Sequence, residues 1–444
     1  MEDFEVTGIP SENIDSIDSI AHYALLSGCD PISFEEAVKD SKWKHAMNEE
    51  IESIEKNNTW ELVKLPKEHK FIGVKWVYKT KLNKDGGVDK YKARLLALGY
   101  NKNLSAFLQG QLEEEVYVDQ PLGYVKQGSE DQVYKLNKAL YGLKQAPRSW
   151  YSRVAAYFLK NSFIKYPYEH TLYIKYGLNK KILIVCLYVD DLICTSNDKT
   201  LLDEFKLSMM KEFDMTDLVM HYFLGIEVVQ LSIGIFISQK KYASKILDRF
   251  KMKECNPVTT PSEVSLKLSK NGVGKKVNTT MYKQIIGSLM YLTATRPDIM
   301  HAVNLVNRYM ENPIEVHLLA AKRILRYLKG TVDFGILYKS GEKSSLIGFS
   351  DSDYAGNPDY RKSTSGAVFM LNSGAITWSS KKQQIVTLST TEAEFVAAAS
   401  TSCQAIWLRR LLEMLDYQQH GPTVIHLLMM LMGSGLMGKE RDVM

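Results

Sequence analysis

The chain has 444 residues, enough for two or three domains, and its apolar fraction of 45% and charged fraction of 24% are typical of globular proteins. Its net charge of +5 tolerates a polyanionic partner without requiring one, and its five cysteines follow neither a zinc nor a disulfide spacing. No secretory signal pattern and no apolar run long enough to span a membrane is visible, so we expect an intracellular protein, cytoplasmic or nuclear and not secreted.

The first hundred residues predict a leader, a helix and a set of strands. Residues 1–33 lack periodicity and predict a flexible leader, whereas an amphipathic helix is predicted from Phe34 to Asn57. The apolar positions that define its buried face are Trp43, Met47, Ile51 and Ile54. Strands are predicted for "TWELVKLP", "FIGVKWVYKTKL" and "DKYKARLLALGY", and the Asp-Gly-Gly between the last two predicts a hairpin.

The middle of the chain predicts a strand meander and then helices. "TLYIKYGLNKKILIVCLYVDDLIC" reads as strands whose last turn contains Asp190 and Asp191. A helix at "LLDEFKLSMMKEF" and a hairpin followed by a helix in "HYFLGIEVVQLSIGIFISQKKYASKIL" come next. A polar linker then precedes a helical block at 281–330.

The last helix of that block has an apolar and a basic face. Its predicted buried residues are Leu318, Ala321, Leu325 and Leu328, with Gly330 as a C-terminal cap. Its basic face consists of Lys322, Arg323, Arg326 and Lys329. Such a face is either solvated surface or a contact for a nucleic-acid backbone, and the sequence leaves both open.

The C-terminal region predicts a small α+β unit. A strand at "SLIGFSDSDYAG" is followed by a hairpin, "GAVFMLNSGAITWSS", that turns at Asn372 to Gly374. A helix then opens at Ser389, where Ser389 and Glu392 form a capping-box pattern.

Asp190 and Asp191 are two adjacent carboxylates inside a strongly apolar hairpin. Magnesium prefers carboxylate oxygens and keeps waters that substrate phosphates can replace, so the pair suits phosphoryl-transfer chemistry. Such a site needs a further carboxylate from a neighbouring strand. An ordinary Asp-Asp turn is the structural alternative.

Many segments in order resemble the Pol polyprotein of copia-type LTR retrotransposons, from about residue 29 to about residue 423. They include "IGVKWVYKTKLNKDG", "YKLNKALYGLKQAPRSWY", "LYVDDLI", "YFLGIEV", "GSLMYLTATRPDI", "SDSDYAG" and "SSKKQQIVTLSTTEAEF". The resemblance implies a reverse transcriptase with ribonuclease H that uses Mg²⁺ and a primer–template.

The resemblance also implies roles for individual polymerase residues. Asp190 and Asp191 match the palm metal ligands, and Tyr188 lies beside the primer end. Lys81 and Arg94 resemble residues that hold the incoming triphosphate, and Gln145 resembles the glutamine that packs against the nucleotide. The hairpin that grips the primer matches Phe223, Leu224 and Gly225.

In the ribonuclease H-like part, Asp351 and Glu392 match the first two metal-binding acids. The capping box gives Glu392 a structural alternative, and Asp353 could belong to a turn.

The sequence departs from the family at two places. The first polymerase aspartate is expected three residues before the serine of Ser105–Leu108, but Lys102 stands there, and a few dozen residues are missing beside it. We do not expect Glu113, Glu114 or Glu115 to replace it. Leu428 stands where a third nuclease aspartate is expected, and Asp442 lies too far along the chain to serve.

We therefore expect an α+β chain with a truncated fingers and palm region, a helical connection and a truncated ribonuclease H-like domain. The predicted parts are a leader at 1–33, the polymerase-like region at 34–262 with a deletion near 100–104, a linker and connection at 263–345, the nuclease-like region at 346–423 and an aberrant tail at 424–444. The expected function is an RNA-directed DNA polymerase by descent with impaired or absent catalysis. A non-catalytic nucleic-acid-binding remnant, or a pseudogene product without a selected role, is the alternative.

Overall fold

A computed structural model describes most of the chain between residues 30 and 427. Within that range it leaves out residue 32 and residues 83–87, 99–114, 139, 141–142, 144–145, 190, 214, 216–219, 264–266, 271, 273 and 342–344, and also the side chains of residues 81, 82, 89 and 146–149. The described residues divide into one unit within 26–217 and another within 218–444.

The first unit combines helices with strands that, in all but one of the described pairs, run antiparallel. Its elements are α1 (Phe34–Ala37), α2 (Ser41–Lys56), β1 (Trp60–Lys64), β2 (Phe71–Ile72), β3 (Val74–Leu82), β4 (Val88–Ala97), β5 (Tyr117–Val118), β6 (Gln132–Leu136), α3 (Ala146–Lys160), β7 (Ile164–Lys165), β8 (Leu172–Tyr176), β9 (Ile182–Tyr188), β10 (Asp191–Ser196) and α4 (Lys199–Phe213). The described strands form one sheet of order β1-β6-β5-β2, the hairpin β3-β4 and a sheet of order β10-β9-β8-β7.

The predicted helix from Phe34 to Asn57 is interrupted. Asp40 caps a new helix there, because its carboxylate accepts from Lys42 N–H at 2.9 Å. Three of its predicted apolar residues are buried in the core, Trp43, Met47 and Ile54, whereas Ile51 is half-buried. The β3-β4 hairpin and the β8-β9-β10 meander confirm the strand predictions. The turn of the first hairpin lies outside the described residues.

Among its described residues, the second unit combines two small sheets with four helices that pack together and a fifth helix. Its elements are β11 (Tyr222–Phe223), β12 (Ile226–Leu231), β13 (Gly234–Ser238), α5 (Lys240–Arg249), α6 (Thr279–Leu292), α7 (Pro297–Asn307), α8 (Glu315–Gly330), β14 (Gly335–Lys339), β15 (Leu346–Ser352), β16 (Thr364–Leu371), β17 (Gly374–Lys382), α9 (Thr390–Met414) and β18 (Val424–Leu427). Its described sheets have the orders β11-β12-β13-β14 and β17-β16-β15-β18, with β15 and β18 parallel.

Helices α5 to α8 share one apolar core, and α9 packs on the β15–β18 sheet with a second, smaller core. Ala321, Leu325 and Leu328 are buried as predicted, whereas Leu318 is half-buried. The prediction that Gly330 caps α8 is wrong, because Gly330 is the last helical residue and Thr331 is the cap.

The two units meet in sequence at residues 217 and 218, while the sequence predicts a domain boundary at 262 and 263. The hairpin β12-β13 pairs with β14, which follows the helical block. The hairpin therefore belongs to the second unit. The predicted domain boundaries therefore remain an assignment by resemblance. Among the described helices, none combines the length and the hydropathy that crossing a bilayer requires.

Candidate active sites

The turn of the "YVDD" segment joins β9 to β10. Tyr188 and Asp191 face each other as the last described pair of β9 and β10, so the turn lies between them. Asp191 is exposed, and Asp190 lies outside the described residues. Val189 adopts a φ of 58°, a region that is unfavourable for a β-branched residue. The acidic turn is therefore a strained one.

Trp150 of α3 holds this turn in place. Its indole N–H donates to the carbonyl oxygen of Val189 at 2.7 Å, and the ring is buried against Phe213 of α4. A buried donor of this kind fixes the turn against two helices, because its loss would leave the indole N–H without its acceptor. The sequence alone did not reveal this support.

The two predicted triphosphate-binding residues lie on the β3-β4 hairpin. Arg94 Nη1 is 2.6 Å from Glu50 Oε2 of α2, and Glu50 is 3% exposed. Burial raises the pKa of Glu50, although Arg94 acts in the opposite direction. Lys81 is paired with Lys90 in the backbone register, its side chain is not described, and Gln145 lies outside the described residues.

The expected third polymerase carboxylate would come from the region before β5. Lys102, Glu113 and Glu114 lie outside the described residues. Glu115 contacts Lys135 Nζ at 2.6 Å and accepts from the Tyr117 hydroxyl at 3.1 Å, both on the β1-β6-β5-β2 sheet. Strand β10 forms an edge of its own described sheet. The one described glutamate of the 113–115 run is thus engaged on another sheet.

The predicted primer-gripping hairpin is β11-β12. Leu224 and Gly225 form its turn with φ values of 49° and 76°, which is the pattern of a type I′ turn. The hydroxyl of Tyr291, on α6, donates to the carbonyl oxygen of Leu224. A Cβ on Gly225 would collide with the same hydroxyl, so both the turn and its contact require glycine.

The nuclease-like unit brings an acidic strand end next to a helix start. Asp351 lies on β15, and burial, followed by the charge of Asp353, raises its pKa. Burial, followed by the charge of Asp351, raises the pKa of Glu394 to about 6. The charge of Asp351 thus acts on the Glu394 carboxyl.

Glu392, the residue that the sequence assigned to this site, takes part in capping the start of α9, where Ser389 is the N-cap. Ser389 Oγ accepts from Glu392 N–H at 3.1 Å, and Glu392 Oε2 accepts from Leu388 N–H at 2.6 Å. The capping alternative is therefore confirmed, with the carboxylate reaching one residue further than a capping box predicts. The interaction with Asp351 falls instead to Glu394, which lies two residues later.

The helical periodicity of α9 contains the signal that would have identified Glu394. The residues buried on one face of this helix recur every three or four positions, namely Glu394, Ala397, Thr401, Ala405, Leu408 and Leu412. A glutamate in register with an otherwise small and apolar buried face is unusual, because burying a carboxylate is costly. Glu392 lies outside that register.

Asp353, in the loop after β15, and His301, on α7, both act electrostatically on Asp351. Asp353 Oδ1 accepts from Thr364 N–H at 2.5 Å, which confirms a role in the loop between β15 and β16. His301 of α7 has Nδ1 3.3 Å from Ser380 Oγ of β17. Burial lowers the pKa of His301, while Asp353 and Asp351 act to raise it.

Oxygen ligands for a divalent cation are present only in part. Within the described residues, no group of three or more His, Cys, Asp or Glu side chains is arranged to hold a metal ion. Glu394 Oε2 is buried and has no hydrogen-bond partner in the described structure, so a cation beside Asp351 would satisfy it. Asp191 offers an exposed carboxylate at the first site.

The basic face of α8 is partly engaged in the fold. Arg323 Nη2 donates to Thr260 Oγ1 at 3.0 Å, and Arg326 Nε donates to the carbonyl oxygen of Asn256 at 2.8 Å. Both arginines therefore hold the segment that leads into the linker against α8 by hydrogen bonds. Lys322 is exposed and Lys329 is partly exposed.

The hairpin β9-β10 carries the "YVDD" segment and lies within the part of the chain that the comparisons with known proteins match. A family model described as "Reverse transcriptase (RNA-dependent DNA polymerase)" matches residues 57–105 and 102–264. The retrovirus-related Pol polyprotein from transposon RE1 of Arabidopsis thaliana is 39% identical over 91% of this chain, which corresponds to 30% of that protein. A putative transposon Ty5-1 protein of Saccharomyces cerevisiae is 33% identical over 67% of this chain and 97% of its own length.

The chain belongs to the copia-type retrotransposon Pol family. It spans about a third or less of the length of the long Pol relatives, including the one from transposon TNT 1-94 of Nicotiana tabacum, with 34% covered. Among solved structures, a prototype foamy virus protease–reverse transcriptase aligns at 12% identity over 88% of this chain with a TM-score of 0.22, too low to support a structural argument.

Proposed function

We propose that this chain acts, by descent, as the reverse transcriptase and ribonuclease H region of a copia-type Pol protein, and that its polymerase chemistry is impaired. The observation that carries the proposal is the strained Asp-Asp turn, anchored by Trp150, inside the segment that matches the reverse transcriptase family. A turn held in this way would present the Asp191 carboxylate at a fixed point, which divalent-cation chemistry requires.

Each residue of the polymerase site has a proposed task. Asp190 and Asp191 hold Mg²⁺, which when bound would neutralise charge on the transferred phosphate. Tyr188 lies beside the primer end, Lys81 and Arg94 contact the triphosphate, and Gln145 packs against the nucleotide. Phe223, Leu224 and Gly225 hold the primer strand. The partner is an RNA or DNA primer–template.

Impairment follows from the missing third carboxylate. The family match breaks into two segments at residues 102–105, where the sequence indicates a deletion, and β10 is an edge strand in its described sheet. Lys102 in place of an aspartate would repel a cation. Losing one such ligand lowers the rate by on the order of 10²–10³-fold or more.

The nuclease-like part is proposed to hold Mg²⁺ with Asp351 and Glu394, while Glu392 caps the helix. Leu428 replaces the expected third acid, so this site is also proposed to be incomplete. Titration of the full chain with Mn²⁺ distinguishes the two glutamates. Glu394→Gln is expected to weaken Mn²⁺ binding and Glu392→Gln to leave it unchanged; the reverse result would favour the assignment of Glu392 by resemblance.

Primer extension on poly(rA)·oligo(dT) with Mg²⁺ tests the polymerase proposal. The wild-type chain is expected to extend the primer no faster than an Asp190→Asn control. Faster extension that the control abolishes would contradict impairment and leave the polymerase assignment standing. Binding of the same duplex is expected to weaken as salt rises, and failure to bind at low salt would contradict the primer–template assignment.

We also propose an intracellular location. Cys186, Cys255 and Cys403 are free thiols, which persist in a reducing compartment. Quantifying thiols in the native protein with a thiol reagent, before and after reduction, tests this, since a secreted protein would gain thiols on reduction.

A further inference from the structure

Gln383 is a buried polar residue directly after β17, and neither site assignment above uses it. Its side chain is 5% exposed, and its backbone N–H donates to the carbonyl oxygen of Ser363 at 2.8 Å. A buried amide must find partners for its two N–H groups, because leaving them unpaired costs about 1–3 kcal/mol. The partners of Gln383 come from three different elements.

Gln383 Nε2 lies within hydrogen-bond distance of three acceptors. They are Ser352 Oγ at 3.1 Å, Ser365 Oγ at 2.9 Å and the carbonyl oxygen of Ala393 at 2.8 Å. The Ser352 hydroxyl itself donates to the carbonyl oxygen of Asp353, so its oxygen is available as an acceptor. Rotating the amide by half a turn would place Gln383 Oε1 against the Ala393 carbonyl, and two acceptors repel. The contacts therefore fix the amide orientation.

Two of these acceptors flank the acidic residues of the nuclease-like unit. Ser352 directly follows Asp351 at the end of β15, and Ala393 directly precedes Glu394 in the first turn of α9. One amide group thus ties the strand end that carries the first carboxylate to the helix turn that carries the second. Ser365 ties the same amide to β16, the central neighbour of β15.

We propose that Gln383 is a positioning residue that sets the spacing between the carboxylates of Asp351 and Glu394 and thereby their affinity for a divalent cation. The proposal rests on the assignment of these two residues to a cation site. Glu394 Oε2 is buried and lacks a hydrogen-bond partner in the described structure, while the backbone of Ser352 hydrogen-bonds to the same carboxyl group. Groups that orient metal ligands typically change metal affinity by about 10–100-fold.

The test is a titration of the full chain with Mn²⁺, in which electron paramagnetic resonance measures the bound and free ion. Gln383→Leu, which keeps the approximate volume but removes the donors, is expected to raise the Mn²⁺ dissociation constant about tenfold or more. Asp351→Asn is expected to abolish binding at this site. In an Asp351→Asn background, Gln383→Leu is expected to have no further effect, since both changes act on one site.

Thr401→Val provides the matched control. Thr401 is 2% exposed, and its hydroxyl joins α9 to β15 through Ser350 Oγ at 3.1 Å, two helical turns after Glu394. Its removal is expected to lower the melting temperature comparably while leaving the Mn²⁺ dissociation constant unchanged. If the role of Gln383 were purely structural, Gln383→Leu and Thr401→Val would change the melting temperature and the Mn²⁺ dissociation constant to the same extent.

The outcomes distinguish the positioning role of Gln383 from the assignment of Asp351 and Glu394 to a cation site. Mn²⁺ binding that requires Asp351 but is unaffected by Gln383→Leu would overturn the positioning role alone. Equal losses in Gln383→Leu and Thr401→Val would also overturn it. Absence of any Asp351-dependent Mn²⁺ binding in the wild-type chain would overturn both the cation-site assignment and the positioning role.

Discussion

Arg94 Nη1 lies 2.6 Å from Glu50 Oε2, so the residue assigned to the incoming triphosphate is also the ion-pair partner of a buried carboxylate. The same guanidinium nitrogen also reaches the carbonyl oxygen of Ala93 at 3.3 Å, and Glu50 Oε1 accepts from Leu95 N–H at 3.4 Å. The β3-β4 hairpin is thereby held to α2. In this arrangement, the proposed contact with a triphosphate and the stabilisation of the fold would depend on the same side chain.

Replacing Arg94 alone is expected to be more damaging than replacing both partners. Arg94→Met leaves the buried carboxylate of Glu50 without its ion-pair partner. It should therefore lower the free energy of unfolding by about 3 kcal/mol at pH 7. Because burial already raises the pKa of Glu50, protonation at lower pH should shrink this deficit. Urea unfolding at pH 7 and at pH 5 measures both effects.

The double variant Arg94→Met/Glu50→Gln is the control for that experiment. Removing the charge together with its partner should recover most of the lost stability. If the double variant is as unstable as Arg94→Met, the unpaired charge of Glu50 is not the cause of the lost stability.

Strain at the acidic turn predicts a stabilising substitution. Val189→Gly should raise the free energy of unfolding by about 0.5–1 kcal/mol, since glycine accepts a φ of 58° without the penalty of a branched Cβ. Val189 is 39% exposed, so little burial is lost. Asn179 has the same φ of 58° but tolerates it, and Asn179→Gly should therefore give no gain. Equal gains in both variants would refute strain at Val189.

Gly225 is expected to be more sensitive to alanine than a glycine of similar conformation in open space. Gly225→Ala should cost about 2 kcal/mol, combining the penalty of a positive φ with the collision against the Tyr291 hydroxyl. Gly341 has a φ of 82°, and no atom of the described residues lies within 4 Å of the position that an added Cβ would occupy, so Gly341→Ala should cost about 1 kcal/mol. Thermal unfolding measures the stability loss of each variant. Equal losses would show that the collision with the Tyr291 hydroxyl adds nothing to the penalty of a positive φ.

His317 is expected to make the helical block sensitive to acid. The residue is 1% exposed, its Nδ1 accepts from Ile314 N–H at 3.2 Å, and burial lowers its pKa. Because the pKa is lowered in the folded state, this contribution to stability is fully present above the unfolded value of about 6.5 and is lost as pH falls through the folded pKa. Protonation would also remove the acceptor of Ile314 N–H.

The melting temperature should therefore fall between pH 7 and pH 5. His317→Gln, which keeps polar atoms but does not titrate, should flatten this dependence relative to the wild-type chain. An unchanged slope in the variant would assign the acid sensitivity to other groups.

The local pattern of the chain was sufficient for most elements and for the family. Alternating apolar residues predicted the β9-β10 hairpin, helical spacing predicted α8, and the serine of the capping pattern began α9 at Ser389 as expected. These features depend on residues close together in sequence, which act through backbone preference and single-face burial. The same local reasoning failed at Asp40, where a capping side chain broke a helix whose apolar spacing continued across the break.

The sequence by itself determined the reverse transcriptase ancestry, the Asp-Asp hairpin and the acidic strand of the nuclease-like unit. Only the tertiary structure decided which side chains interact: the charge of Asp351 acts on Glu394, Glu50 pairs with Arg94, Trp150 donates to Val189, and Gln383 bridges two acidic elements. The reason is that a motif specifies residues within one element, whereas burial and charge are properties of packing between elements. Two glutamates separated by one residue on a helix point about 200° apart, and only the packed face determines which one approaches the strand.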